Sequence, residues 1–410
     1  MTVLYPRVSL YAMMLASAGI PLYIHLPQFA SVELGLGLGT LGAILLAIRL
    51  VDLVQDPLIG WMADRWPRAQ LSLAMLAAGG LAIGFPLLFS LGPGPQAAGR
   101  LVLVLIVLFT AYSLGMILLY GRSATLAKRP EPRELLTLAA YREAGLLAGV
   151  IFAAIAPAVL AALGATGQGY GAFGMVLGLF ALMTALLTRP IWTRPARMGQ
   201  CLSVRSLANA GAIRLLILAV LNSLPVALTS TLFLFFAGDR LQLADYAGGL
   251  LVLFFLCAGF SVPLWTRISQ RISPKPTLLL AMPLAIASFA GAAFLGAGSL
   301  AGFALICAAS GAALGADMVL LPAMFSIALT KADLNAAAAF GIWSFAGKLA
   351  LALAAALALP LLEQQGFRPG GPNNAQALGA LTLAYAVLPC ALKTAAFAFV
   401  LTLPPERPVP

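Results

Sequence analysis

Long apolar runs alternate with short polar interruptions along the whole chain, and each run has about 20 residues, the length a helix needs to cross the hydrocarbon core of a bilayer. Ended by proline, glycine or charge, the runs fall near residues 8–30, 38–62, 71–91, 100–126, 137–163 and 170–188, then near 213–237, 246–265, 276–296, 300–328, 336–362 and 376–402. The pattern predicts an all-α membrane protein with twelve transmembrane helices in two six-helix bundles. Between the sixth and seventh runs lies the longest polar stretch, which holds Arg189, Arg194, Arg197 and Arg205 and cannot be a span. The chain therefore divides into an N-terminal bundle at 1–188, a cytoplasmic linker at 189–212 and a C-terminal bundle at 213–410.

Composition narrows the solvent. The 410 residues are 62% hydrophobic and 9% charged, against about 45–50% and about 25% in soluble domains. The polar residues are too few to clothe a water-soluble surface, so lipid must cover most of the molecule. The net charge of +11 would suggest nucleic acid in a soluble chain, but here Lys and Arg sit in short loops, and no nucleic-acid partner is expected. With the N-terminus in the cytoplasm, Arg65, Arg68, Lys128, Arg129, Arg133, the linker arginines, Arg267, Arg271, Lys275 and Lys331 share that side, and only Arg100, Arg240 and Arg368 face the other. The positive-inside rule then places both termini in the cytoplasm of a multi-pass plasma-membrane protein, a bacterial inner membrane being expected. The run at 8–30 is too long for a signal-peptide core and lacks a small-residue cleavage site, so it reads as a retained span. Cys201, Cys257, Cys307 and Cys390 form no CxxC pair and read as packing residues, with no metal or cofactor implied.

Charge within a span is expensive, and each such residue needs a reason. The sharpest cluster is Arg49, Asp52, Asp56 and Gly60, whose offsets of three, four and four put them on one face of the second span. Two carboxylates one turn apart in a low dielectric require a cation between them, a proton, or a neighbouring base, so Asp52 and Asp56 form a candidate site for a coupling cation, Na+ or H+. Pro57 adds to this by freeing the carbonyl near Leu53 as an oxygen ligand. The same residues also suit a structural role, an Arg49–Asp52 pair pinning the span to a neighbour. Lys348, more than two turns inside its span, is the natural counter-charge. Arg142 and Glu143 point about 100° apart, either one into a cavity or both into an interfacial ion pair. Tyr23, Gln28, Tyr120 and Trp343 are candidate substrate contacts, with His25, Tyr112, Asn222 and Asn374 behind them; Asp317 either joins the site or caps a local break, and Lys393 is expected in a packed or cavity environment. Gly60, Asp64 and Arg65 close the second span and suit a charge latch to a neighbouring helix end, or an ordinary positive-inside turn.

Two stretches carry a family resemblance. Arg49-Leu-Val-Asp52-Leu-Val-Gln-Asp56-Pro57-Leu-Ile-Gly60-Trp61 closely resembles the R-x-x-D-x-x-x-D-P-x-x-G signature of the glycoside-pentoside-hexuronide:cation symporters, the melibiose-permease-like family of the major facilitator superfamily. Residues 341–367 resemble its eleventh span and 138–149, with Arg142, its fifth. The resemblance implies a major facilitator fold, a monomer working by alternating access, a cation at Asp52 and Asp56, a cavity lined by Lys348 and Arg142, and a sugar or glycoside as solute. The sugar-transporting members carry carboxylates in spans one and four; residues 10–30 and 101–120 contain none. That departure implies a more apolar cavity and leaves a lysolipid-like amphipath, moved inward or exported, as an alternative substrate beside a small organic solute. An embedded enzyme would need chemistry that is missing: no HExxH, no Ser-His-Asp set and a single histidine. A non-transporting receptor is the remaining alternative class.

Overall fold

The computed structural model of the chain describes residues 4–20, 22, 26, 29–30, 33–36, 38–164, 169–196, 199–368 and 370–404. The described segments are almost wholly helical. The long helices are α1 (Leu4–Ile20), α2 (Leu38–Arg65), α3 (Gln70–Phe89), α4 (Ala97–Gly121), α5 (Pro132–Ala162), α6 (Tyr170–Trp192), α7 (Ala212–Phe235), α8 (Ala247–Ile272), α9 (Pro274–Ala292), α10 (Leu300–Lys331), α11 (Ala337–Gln364) and α12 (Ala375–Leu401). Ten of them, α3 to α12, are long and apolar enough to cross a membrane. The other two expected spans are met by α1, described over 17 residues, and by α2, which carries Arg49, Asp52 and Asp56 in its middle.

Proline lies inside α2, α3, α5, α6, α7, α8, α9, α10 and α11. In water each would break its helix; within a bundle, neighbouring groups satisfy the carbonyl that proline leaves over. Each proline therefore leaves one backbone carbonyl of its helix without the usual N–H donor.

The chain forms two compact units. The first comprises Met1–Ser206 with Leu329–Phe345, the second Leu207–Ala328 with Ala346–Pro410. In the first, helices approach through small residues, as lipid-embedded bundles do. A Cβ added at Gly174 or Gly178 of α6 would stand 2.7 Å from the Phe85 or Ala82 carbonyl of α3. Phe29, Phe89, Tyr170 and Phe173 form an aromatic knot beside this contact. The second unit is organised by two π turns, Phe236–Arg240 after α7 and Leu383–Val387 within α12. They bring Phe236 and Tyr385 into a stack with centroids 4.1 Å apart, and Phe303 of α10 closes the cluster.

The end of α10 and the first turns of α11 belong to the first unit for a local reason. Gly199 N–H donates to Asn335 Oδ1 (2.9 Å), Gln200 N–H to the Asp333 carbonyl (2.6 Å), and Asn335 N–H to the Gln200 carbonyl (3.1 Å), making a one-rung parallel bridge between Gln200 and Leu334. The linker is thereby strapped to the α10–α11 turn. The cysteines are unpaired thiols: Cys201, next to this strap, is exposed, Cys307 is buried, and Cys257 and Cys390 are half-buried.

Candidate functional site

The sequence of α2 is apolar, yet its apolar side chains are the ones turned outward. Leu50, Val54, Leu58 and Trp61 are exposed, whereas Asp52 and Asp56 are each 0% exposed and share their face with Ile59, Gly60 and Ala63. This inversion is what a lipid-facing helix with a polar purpose requires: hydrocarbon solvates the leucines, and protein must solvate the carboxylates. Gln55 Nε2 donates to Asp52 Oδ1 (2.8 Å) and is held in turn by Thr110 of α4, whose hydroxyl donates to Gln55 Oε1 (3.0 Å). Ser344 of α11 donates its hydroxyl to Asp56 Oδ2 (2.6 Å). That short reach depends on Gly341, where a Cβ would stand 2.6 Å from the Asp56 carbonyl. Gln55, Thr110 and Ser344 do not stand out in the sequence pattern; one turn of helical spacing from Asp52 and from Lys348 is the signal that marks Gln55 and Ser344. The side chain of Arg49, and Tyr23, His25 and Gln28, lie outside the described residues. Lys348 is half-buried one turn beyond Ser344.

A second cluster is built on α5. Arg142 and Glu143, both 1% exposed, pair through Arg142 Nε and Glu143 Oε1 (3.0 Å). Adjacent residues start in different directions, but arginine is long enough to fold back, so the ion pair forms without a second helix. Tyr120 of α4 donates its hydroxyl to Glu143 Oε1 (2.8 Å) while its ring lies under the guanidinium, 3.7 Å from Cζ. Arg142 Nη1 reaches Ser123 Oγ (3.4 Å), and Nη2 finds no hydrogen-bond acceptor among the described residues. Phe340 packs on Tyr120, and Trp343 packs on Phe340. The four expected residues Arg142, Tyr120, Trp343 and Asp56 are thus tied to one another through α4 and the start of α11.

The end of α2 meets the beginning of α11. Asp64 accepts from the backbone N–H groups of Ala337 (3.2 Å, at Oδ1) and Ala338 (2.7 Å, at Oδ2), which are first-turn amides with no partner inside their own helix. The cation beside Asp64 is Arg122, from the residue that ends α4, at 3.9 Å; it also donates to the Ala63 carbonyl. Arg65, the cation expected from the sequence, is exposed, and the ion pair of Asp64 is with Arg122. Burial pushes the Asp64 carboxyl, which lies beyond the expected span, above the usual carboxylate range, and the Ala338 and Ala337 amides and Arg122 oppose that rise. The contact is close because Gly60 and Gly121 allow it: a Cβ at Gly60 would stand 2.5 Å from the Ala337 carbonyl oxygen. Asp64→Ala is expected to destabilise the protein by about 1 kcal/mol, the usual worth of a lost N-terminal cap, and Asp64→Asn by less; thermal unfolding in detergent micelles measures both.

In the second unit, Lys393 of α12 donates to Asp317 Oδ2 of α10 and to Asn222 Oδ1 of α7 (2.5 Å). No partner for Lys393 is legible in the sequence because Asp317 lies 76 residues away along the chain. Asn374 has a plain role: its side chain accepts from Ala377 N–H and caps α12. Among the described residues no three His, Cys, Asp or Glu side chains cluster as a metal ion would require.

Helices of membrane-spanning length with hydrogen-bonded ionisable groups held inside them define a polytopic membrane protein of the transporter class. Over residues 8–407 the chain matches the family model described as MFS/sugar transport protein, and it belongs to that family, within the major facilitator superfamily. No individual curated protein sequence matches it. Its fold is similar to a bacterial homologue of the iron transporter ferroportin in the outward-facing state (TM-score 0.72, 16% identity, 96% of this chain and 99% of that one). It is also similar to the major facilitator transporter FucP in the outward conformation (0.66, 15%, 96% and 98%) and to the human organic anion transporter MFSD10 (0.64, 15%, 97% and 98%). At such identities the likeness speaks for the fold alone. The protein is a multi-pass secondary transporter of the major facilitator superfamily, a family and fold of transporters rather than enzymes.

Proposed function

We propose that the protein is a cation-coupled symporter, using Na+ or H+ to drive a small organic solute across the membrane by alternating access. The observation that carries this reading is the pair of fully buried carboxylates, Asp52 and Asp56, one turn apart on the inward face of a lipid-embedded helix. A carboxylate so placed is tolerated when hydrogen bonds and a positive partner compensate it, and a mobile cation is a partner that can leave. Ser344 and Gln55 hold the two carboxylates in fixed directions, so that a cation meets preset oxygens. Lys348, one turn beyond Ser344, supplies the charge that senses whether the cation is present. Coupling needs only that the fully loaded and empty forms interconvert readily while half-loaded forms do not.

Arg142 offers the solute a donor at Nη2, and the Tyr120 ring keeps the guanidinium from folding away. The contact of Asp64 and Gly60 with α11 acts as a latch that is remade in each cycle. The sugar-transport family description favours a sugar-like solute; the lack of carboxylates in α1 and α4 favours an amphipathic one.

The test is uptake into proteoliposomes with Na+ and pH gradients imposed separately, comparing wild type with Asp52→Asn and Asp56→Asn. One gradient should drive accumulation in wild type, and each variant should reduce it to facilitated equilibration. Gradient-driven accumulation unchanged in both variants would sink the proposal.

A further inference from the structure

The two π turns of the second unit flank one groove on its surface, with a volume of about 450 Å³, inside the range of about 300–1,000 Å³ that small-molecule sites occupy. Arg240, the last residue of the first turn, lines one wall, and Leu383 and Val387, the two ends of the second, line the other. Thr382 joins the walls: its hydroxyl accepts from Arg240 Nε (3.2 Å) and donates to the Leu378 carbonyl of its own helix (2.9 Å). π turns are rare and recur at functional sites. Behind the groove, the stack of Phe236 on Tyr385 ties the two turns together and fixes their separation. The remaining lining is apolar, and at Gly379 an added Cβ would meet nothing within 4 Å, so the groove is open there.

Its place in the membrane follows from the helices. α7 starts at the linker and runs away from it, so Arg240 lies at the membrane face opposite the linker. α12 extends over the 27 residues Ala375–Leu401, about 40 Å at 1.5 Å per residue, which matches a bilayer with its headgroups at about 40–45 Å. Thr382 is then about 10 Å below the start of the helix, and Leu383 and Val387 are about 12 and 18 Å below it. The Arg240 guanidinium therefore sits where headgroups give way to hydrocarbon, and the apolar wall descends from it among the acyl chains. Leu383 is 53% and Val387 47% exposed, surface that lipid tails solvate as well as leucine does.

A cation at that depth calls for a counter-charge. Its neighbour Asp239 is engaged elsewhere, accepting from Gly370 N–H (2.8 Å) in the loop ahead of α12. The anion that this layer of a bilayer supplies is phosphate. A guanidinium carries five N–H donors in one plane; with Nε on Thr382, the remaining donors can grip two oxygens of a phosphate side by side. Phosphate carried on acyl chains suits both walls, with oxygen at Arg240 and hydrocarbon along Leu383 and Val387. A free anion leaves the apolar wall uncovered, and an uncharged diglyceride leaves the cation unmet.

We infer that this groove binds a phospholipid of the leaflet opposite the linker, held by its phosphate at Arg240 and preferred when its headgroup is anionic. A zwitterionic headgroup brings its own ammonium, which competes with the guanidinium for the phosphate. The lipid is a fixed partner of the fold and not the transported solute: it bridges the ends of α7 and α12 and braces the two π turns. The inference stands apart from the symporter reading and does not depend on it.

The experiment titrates dioleoyl phosphatidylglycerol into the purified full chain in a neutral detergent and reads melting temperature against lipid mole fraction. Dioleoyl phosphatidylcholine, dioleoylglycerol and inorganic phosphate are run in parallel. Phosphatidylglycerol should stabilise wild type at the lowest mole fraction, phosphatidylcholine should require more, and the other two probes should do little. Arg240→Gln, which keeps a donor for Thr382, should raise the half-saturating phosphatidylglycerol about fivefold, the worth of one interfacial cation, and should erase the preference over phosphatidylcholine. Arg240→Lys should keep that preference. Gly379→Leu fills the open part of the groove without touching Arg240 and should weaken both phospholipids. Arg368→Gln is the control, an exposed cation of the same unit that does not line the groove, and should change nothing. Phosphatidylglycerol binding unchanged in both Arg240→Gln and Gly379→Leu overturns the site. An equal loss in Arg368→Gln and Arg240→Gln overturns it too, since the effect is then one of diffuse charge. Stabilisation by inorganic phosphate with none from either phospholipid overturns the lipid and leaves an anion site.

Discussion

Arg142→Met should destabilise the protein by about 3–5 kcal/mol, the cost of breaking a buried ion pair by removing one partner. Glu143 is 1% exposed and its Oε1 already takes the Tyr120 hydroxyl, so no second cation among the described residues replaces the guanidinium. The Tyr120 ring, 3.7 Å from the guanidinium, loses its cation as well. The cost arises from the buried charge that remains on Glu143 rather than from the packing that methionine fails to restore. Arg142→Met/Glu143→Gln, which removes both charges and keeps the Tyr120 hydrogen bond, should therefore recover most of the stability. Equilibrium unfolding in mixed micelles, run on the single and double variants, measures the difference; a double variant as unstable as the single one would show that packing, and not charge, holds the cluster.

The second large effect is steric. A Cβ at Gly60 would meet the Ala337 carbonyl oxygen at 2.5 Å and the Ala338 Cα at 2.8 Å, and one at Gly341 would meet the Asp56 carbonyl at 2.6 Å. Every one of these atoms is backbone, so no side-chain rotation relieves the overlap. Gly60→Ala and Gly341→Ala should each cost about 1–3 kcal/mol as overpacking. Gly341→Ala should also draw Ser344 off Asp56 and raise the cation concentration needed for half-maximal stabilisation. Gly347→Ala, where the added atom meets nothing within 4 Å, is the control and should be close to neutral. A cation titration followed by melting temperature separates the two consequences.

The spans are legible in the sequence because the bilayer imposes a length and a composition that soluble folds do not. The two carboxylates of α2 are legible for the same reason, since a charge in a hydrocarbon-length run advertises itself. Their hydrogen-bond partners are not. Thr110 is a small polar residue in an apolar helix, and nothing local distinguishes it from the hydroxyls that merely bond their own helix, such as Thr188 to the Thr184 carbonyl, while Ser344 is set apart by nothing more than its one-turn spacing from Lys348. The pairing of Lys393 with Asp317 depends on helix packing across 76 residues of chain and has no periodic signature. The reading of Arg65 as part of a latch shows the opposite hazard. Proximity in sequence favours it, whereas Arg122 stands beside Asp64 with its guanidinium at 3.9 Å, although the two are far apart along the chain. Composition says which groups are costly in lipid, and topology says which of them meet.

The strap between the linker and the α10–α11 turn gives this chain a built-in reporter. Cys201 is the exposed thiol among its four cysteines and follows Gln200, whose two backbone hydrogen bonds hold the strap to the segment at 333–335. A maleimide fluorophore on the native thiol would sense whether that segment stays docked, with no engineered label and no substitution elsewhere. Its emission, followed as cation and solute are added, turns a passive connector into a gauge of the working cycle.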